Sequence, residues 1–119
     1  MQGTSSNTNR TFRWFLQAGL GILLVVLLGV HLIANHWIAP QGLLGYEDVI
    51  RYFNVPGIAW MELLFLIVVT AHCLLGIHGI LLDLNPSPRL KALIKWILIA
   101  IGMTAILYGF RLTWLIAVL

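Results

Sequence analysis

The sequence predicts an all-α integral membrane protein with three transmembrane helices and a short amphipathic surface helix between the first and second. Hydrophobic residues make up 61% of the 119 residues and charged residues only 9%, which excludes an ordinary soluble domain. Three apolar runs are each long enough to cross about 30 Å of hydrocarbon. All five tryptophans fall near the ends of these runs, as an interfacial aromatic belt requires: Trp14, Trp37, Trp60, Trp96 and Trp114. We expect one membrane domain over residues 1–119.

The first predicted span covers residues 12–39. The polar segment before it, residues 1–10, has nothing to bury and is predicted to be a flexible tail or a short docking segment. The apolar run is too long for the hydrophobic region of a signal peptide and no convincing cleavage site follows it, so we expect it to be retained. His31 and Asn35, one helical turn apart, mark the polar face of this span.

The surface helix is predicted over residues 46–54. Glu47, Asp48 and Arg51 occupy one side of it. The apolar residues recur on the other side at helical spacing: Tyr46, Val49, Ile50 and Phe53.

The second and third spans are predicted over residues 58–84 and 90–118, joined by the turn Asn85-Pro86-Ser87-Pro88. The third span carries a ridge of small residues that lets a neighbouring helix approach closely: Gly102, Ala105 and Gly109. The single Cys73 excludes an internal disulfide and is interpreted as a packing residue.

The second span holds the main candidate site. At 100° per residue, Gly76, Gly79 and Asp83 lie at roughly 40°, −20° and 20° from His72, so the four residues form one stripe. Histidine and aspartate are costly in hydrocarbon and need a reason to be there. The imidazole of His72 could ligate iron, and the glycines leave room for a flat macrocycle. The stripe therefore predicts a haem-binding helix, with His72 as a metal ligand.

A second candidate metal ligand is His31 on the first span. Arg13 and Leu84 mark the ends of the first two spans that lie on the same side of the membrane, which we call the inner face. Counted from these residues, His31 lies ~27 Å and His72 ~18 Å from the inner face, a difference of ~9 Å. One iron needs both axial ligands within a few ångström. The spacing favours two b-type haems at two depths, each completed by another polypeptide, over one haem bridged within the chain. Alternatively, each histidine only hydrogen-bonds a neighbouring helix.

Four further residues have open roles. His36 is a rival distal ligand, a haem propionate contact or an exposed interfacial side chain, and His78 contacts a quinone, a propionate or another helix. Arg111 either neutralises a propionate or extends to the headgroups. Asp83 either belongs to a quinone proton path or caps the turn. Glu62 stays unassigned.

Basic residues set the predicted orientation. They flank the start of the first span and the turn before the third, whereas the intervening loop is not enriched in them. The positive-inside rule places the N-terminus and that turn in the cytoplasm, or in the mitochondrial matrix, and the C-terminus outside. Because these residues bracket apolar spans and form no patch with aromatics, a nucleic-acid partner is not expected. Three helices bury little of one another, so a protein partner within the lipid bilayer is expected.

The spacing of His72, Gly76 and Asp83 resembles the haem-binding helix of the cytochrome b membrane anchors of succinate dehydrogenase. The likeness extends to a histidine in the outer half of the first span, the surface segment and the third span. It implies a complex in the inner membrane in which a flavoprotein with FAD and an iron–sulfur protein sit on two such anchors. Electrons would pass to a quinone near the inner ends of the helices, with haem b between the anchors. By position, His72 matches the ligand of the haem nearer the iron–sulfur protein and His31 that of the distal haem.

The likeness favours the smaller of the two anchors. The larger anchor usually carries a His-Arg-x-Ser-Gly signature where this chain reads Arg13-Trp14-Phe15-Leu16-Gln17-Ala18-Gly19. The chain also departs from the smaller anchor at one position, because that anchor often has tyrosine directly after the aspartate, where this chain has Leu84. Two other functions remain open: a b-type cytochrome anchor of another membrane dehydrogenase, such as a hydrogenase, and a haem-free membrane scaffold.

Overall fold

The fold consists of helices only in the part of the chain that is described. The structure, a computed structural model, describes residues 3–119 and the side chains of residues 6–119. The helices are α1 (Gly3–Ile38), α2 (Tyr46–Phe53), α3 (Ile58–Asp83) and α4 (Pro88–Val118). By length and composition, α1, α3 and α4 can each cross a membrane. The predicted all-α fold with three spans and a short helix between the first two is confirmed.

Helix α1 begins earlier than predicted. Residues 3–10, which the sequence predicts as a flexible tail or a short docking segment, are helical and continue α1, while Met1 and Gln2 lie outside the described residues. Extension of an existing helix adds one hydrogen bond per residue without a new nucleation cost, and no proline interrupts this stretch. The Thr11 hydroxyl also donates to the Asn7 carbonyl at 3.1 Å.

The other helix bounds agree with the predicted ones within two residues. Helix α4 begins at Pro88, two residues before the predicted start. Ser87 caps it, because the Ser87 Oγ accepts a hydrogen bond from the Leu90 backbone N–H at 3.3 Å. Proline is well suited to the first helical position, where no N–H is needed.

Helix α3 is the central helix and packs against both α1 and α4. The predicted ridge on α4 makes this close approach possible. A Cβ placed on Gly102 would lie 2.5 Å from Cδ1 of Leu74, and one on Gly109 would overlap Cδ2 of Leu66. The predicted close approach at these glycines is therefore confirmed, and α3 is the neighbour.

Little of the apolar surface is buried within the chain. Among the described residues, four hydrophobic side chains are buried: Leu27, Tyr52, Ile58 and Val68. All five tryptophans are exposed, as an interfacial belt requires. The outer faces of the three long helices are therefore available to lipid and to other proteins.

Candidate functional site

The candidate ligands lie along the interface between α1 and α3, which run antiparallel. Three pairs of contacts fix their register: Arg13 with His78, Gly21 with His72, and His31 with Glu62. We call the end that holds Arg13 the basic end and the opposite one the α2 end. His72 lies nearer the basic end and His31 nearer the α2 end.

This register corrects the predicted separation of His31 and His72. Positions 21 and 72 lie side by side, and so do positions 31 and 62, so ten residues separate the two levels on each helix. At 1.5 Å per residue the levels are about 15 Å apart, not ~9 Å. The difference arises because the prediction placed Arg13 level with Leu84, whereas Arg13 contacts His78. The two imidazoles do not meet.

The imidazole of His72 faces α1. A Cβ on Gly21 would lie 3.1 Å from Cε1 of His72, so this glycine makes room for the ring. The Gln17 side-chain amide donates to the His72 carbonyl at 3.1 Å. Nδ1 of His72 is buried and has no hydrogen-bond partner within the described part of the chain. A buried ring nitrogen without a partner is costly.

The rest of the predicted stripe lines a cleft at the basic end. The cleft measures about 550 Å³. A Cβ on Gly76 would lie 3.1 Å from Nε2 of Gln17, whereas one on Gly79 would meet nothing within 4 Å. Asp83 is exposed. The structure therefore places the stripe on the face of α3 that looks toward α1. The cleft is lined from both helices by Arg10, Arg13, Trp14, Gln17, Leu75, Gly76, Gly79, Ile80, Leu82 and Asp83.

His31 belongs to a hydrogen-bonded cluster at the α2 end, made of His31, Asn35, Tyr52 and Glu62. Nδ1 of His31 lies 2.8 Å from Oε1 and 3.0 Å from Oε2 of Glu62. The Tyr52 hydroxyl donates to Oε1 of Glu62 at 2.6 Å. Three helices therefore meet at one carboxylate, which we call the centre of the His31 cluster.

The hydrogen bonds of the His31 cluster determine which ring nitrogen of His31 is free. A carboxylate only accepts, so Nδ1 of His31 carries the proton that it shares with Glu62. The two amide hydrogens of Asn35 have short acceptors in the His31 carbonyl at 2.8 Å and the Tyr52 hydroxyl at 3.1 Å. Nε2 of His31 is left with a longer 3.4 Å approach of the same amide. Its lone pair can bind a metal, which fits an axial haem ligand.

Tyr52 fastens α2 to this cluster. It is 2% exposed, although the predicted apolar face of α2 did not include it. Tyr46, which that face did include, is 64% exposed. Burial, and then the hydrogen bond and charge of Glu62, raise the pKa of Tyr52 well above its usual range. The Tyr52 phenol therefore stays protonated at neutral pH and can donate to Glu62.

Three predicted site residues, His78, His36 and Arg111, lie apart from both the His72 level and the His31 level. The Arg13 guanidinium donates to Nδ1 of His78, so His78 contacts another helix. His36 and Arg111 are exposed. Among the described residues, no group of three His, Cys, Asp or Glu side chains could hold a metal ion. Haem iron needs only axial ligands from the protein.

Sequence reasoning left Glu62 without a role. The signal was present, since Glu62 is the acidic residue within an apolar run, and such a residue indicates function by default. Its partners could not be identified, because they lie on α1 and α2 and depend on the register.

Comparisons with known proteins point to one class of membrane subunit. The chain is 31% identical over 103 residues to the succinate dehydrogenase hydrophobic membrane anchor subunit of Thermoplasma acidophilum, covering 87% of this chain and 84% of the relative. It is 27% identical over 99 residues to the subunit of the same name from Archaeoglobus fulgidus, covering 83% and 84%. No protein-family model matches the chain. No solved structure matches it.

Proposed function

Because the chain belongs to the succinate dehydrogenase hydrophobic membrane anchor subunits, we propose that it supplies axial ligands to two b-type haems in the complex. His72 would ligate one haem and His31 the other, each completed by a histidine of a second anchor subunit. The iron–sulfur and flavoprotein subunits would bind at the basic end, on the cytoplasmic side of the inner membrane. The C-terminus would then lie outside.

One observation carries the proposal: two intramembrane imidazoles lie about 15 Å apart along one interface, each with a ring nitrogen that lacks a close partner. At His72, Nδ1 is buried against Gly21 of α1, so Nε2 is the nitrogen left to face a haem. At His31 it is Nε2, which has only the 3.4 Å approach of Asn35. A separation of this size excludes one iron shared by both residues and favours one haem at each level.

The residues around each imidazole would position it. When bound, haem b can accept and release one electron at a time. Gly21 leaves space for the His72 ring, and Gln17 holds the adjacent backbone of α3. The cleft at the basic end, where Arg13 and Asp83 supply polar contacts, is our candidate for part of the quinone site.

The test is the haem content of the assembled complex, measured from reduced-minus-oxidised spectra. His72→Ala should remove one haem and His31→Ala the other. His36→Ala tests the rival distal ligand. Because Glu62 orients the ring of His31 and not that of His36, this variant should leave both haems. Unchanged haem content in both of the first two variants would refute the proposal.

A haem-free anchor is the second candidate. Two of the four histidines already bond to neighbouring helices, His31 to Glu62 and His78 to Arg13, as a purely structural role would require. Purified complex without a b-type absorption band after reduction would support this candidate.

A further inference from the structure

We propose that Glu62 is a positioning residue that presents Nε2 of His31 to haem iron and sets the reduction potential of that haem. This inference rests on the proposed role of His31 as an axial ligand. It adds a role for three residues, Glu62, Phe65 and Tyr52, to which sequence reasoning gave none.

The first step concerns the orientation of the ring. Both carboxylate oxygens of Glu62 lie within 3.0 Å of Nδ1 of His31, and Glu62 is only 15% exposed, so water competes weakly for this bond. The Phe65 ring packs against the imidazole with 5.0 Å between centroids and 33° between the planes. The hydrogen bond to Glu62 fixes the tautomer, so Nε2 is the free nitrogen, and the Phe65 contact limits rotation of the ring.

The second step concerns the electronic effect. A ligating histidine that donates its other N–H to a carboxylate is a more basic ligand, as second-shell carboxylates generally produce. A more basic ligand, together with a nearby negative charge, favours the oxidised iron. Glu62 should therefore hold the potential of the haem at the His31 level lower than a neutral acceptor would.

The third step concerns Tyr52, which modulates Glu62 from α2. Its hydroxyl donates to Oε1 of Glu62, the same oxygen that His31 approaches most closely. This donation withdraws charge from the carboxylate and weakens its pull on the His31 proton. Removal of the Tyr52 hydroxyl should thus strengthen the bond between Glu62 and His31.

The two residues therefore predict opposite shifts. In the assembled complex, Glu62→Gln should move the potential of the haem at the His31 level to a more positive value and weaken haem retention there by about 10- to 100-fold. Tyr52→Phe, which keeps the ring, should move the same potential to a more negative value. Glu47→Gln is the matched control, because Glu47 is an exposed acid on the same surface helix and should leave the potential unchanged.

Redox titration of the haems followed by visible absorption provides the measurement. A merely structural role for Glu62 would give shifts of the same sign in the two cluster variants, or none, and either result overturns the inference. If the Glu62→Gln complex does not assemble, the Tyr52→Phe complex is a sufficient test. A potential of the haem at the His31 level that is unchanged or more positive in that complex overturns the inference. The His31→Ala variant separates the two proposals: retention of both haems there refutes the proposed function, whereas loss of one haem with unshifted potentials in the cluster variants refutes only this inference.

Discussion

Substitution of Gly102 by leucine should destabilise the contact between α3 and α4. A Cβ at this position would lie 2.5 Å from Cδ1 of Leu74, whereas carbon atoms rest at about 3.5–4.0 Å. The shortfall is at least about 1 Å for the first added carbon, and three more carbons follow it. Overpacking of this kind costs about 1–3 kcal/mol, and the better helix propensity of leucine offsets part of that, about 1 kcal/mol at most.

A reciprocal change should relieve the clash. Leu74→Ala removes the carbon that the new side chain would meet, so Gly102→Leu with Leu74→Ala should be more stable than the sum of the two single changes predicts. For side chains in contact we expect a coupling energy of about 0.5–3 kcal/mol. The assay is equilibrium unfolding of the full chain in mixed micelles, followed by circular dichroism.

Gly19→Leu is the control for added bulk on a membrane helix, because a Cβ on Gly19 meets nothing within 4 Å. It should leave stability unchanged or raise it. Additive effects of the Gly102 and Leu74 changes, or a Gly102→Leu chain as stable as the unmodified one, would show that α3 and α4 do not approach as described.

Two further predictions concern the turn between α3 and α4. Ser87→Ala should destabilise the chain by about 1 kcal/mol, because it removes the cap on the Leu90 N–H; the same unfolding assay measures this, and an unchanged midpoint would contradict the cap. Asn85 has φ of 51°, so Asn85→Gly should be tolerated while Asn85→Val should cost about 1–2 kcal/mol more; equal stabilities of the two variants would show that the left-handed conformation is not required.

The positions of the helices follow from local signals, but their register does not. Apolar runs, tryptophans and the turn at Pro86 and Pro88 are properties of neighbouring residues, and they predict α3 and α4 within two residues. The axial slide of α1 against α3 depends on contacts between residues distant in sequence, such as Arg13 with His78. That is why the depth difference between His31 and His72 was underestimated and the partners of Glu62 were missed.

The partly buried carboxylate of Glu62 also explains how α2 is held. Glu62 lies in an apolar helix, where its charge is costly unless donors surround it. His31 supplies one donor from α1 and Tyr52 another from α2, so neither helix alone satisfies it. The position of α2 is thus fixed by a hydrogen bond as well as by apolar contact, which accounts for the burial of Tyr52 and the exposure of Tyr46. Docking of the surface helix and the orientation of His31 consequently depend on the same carboxylate.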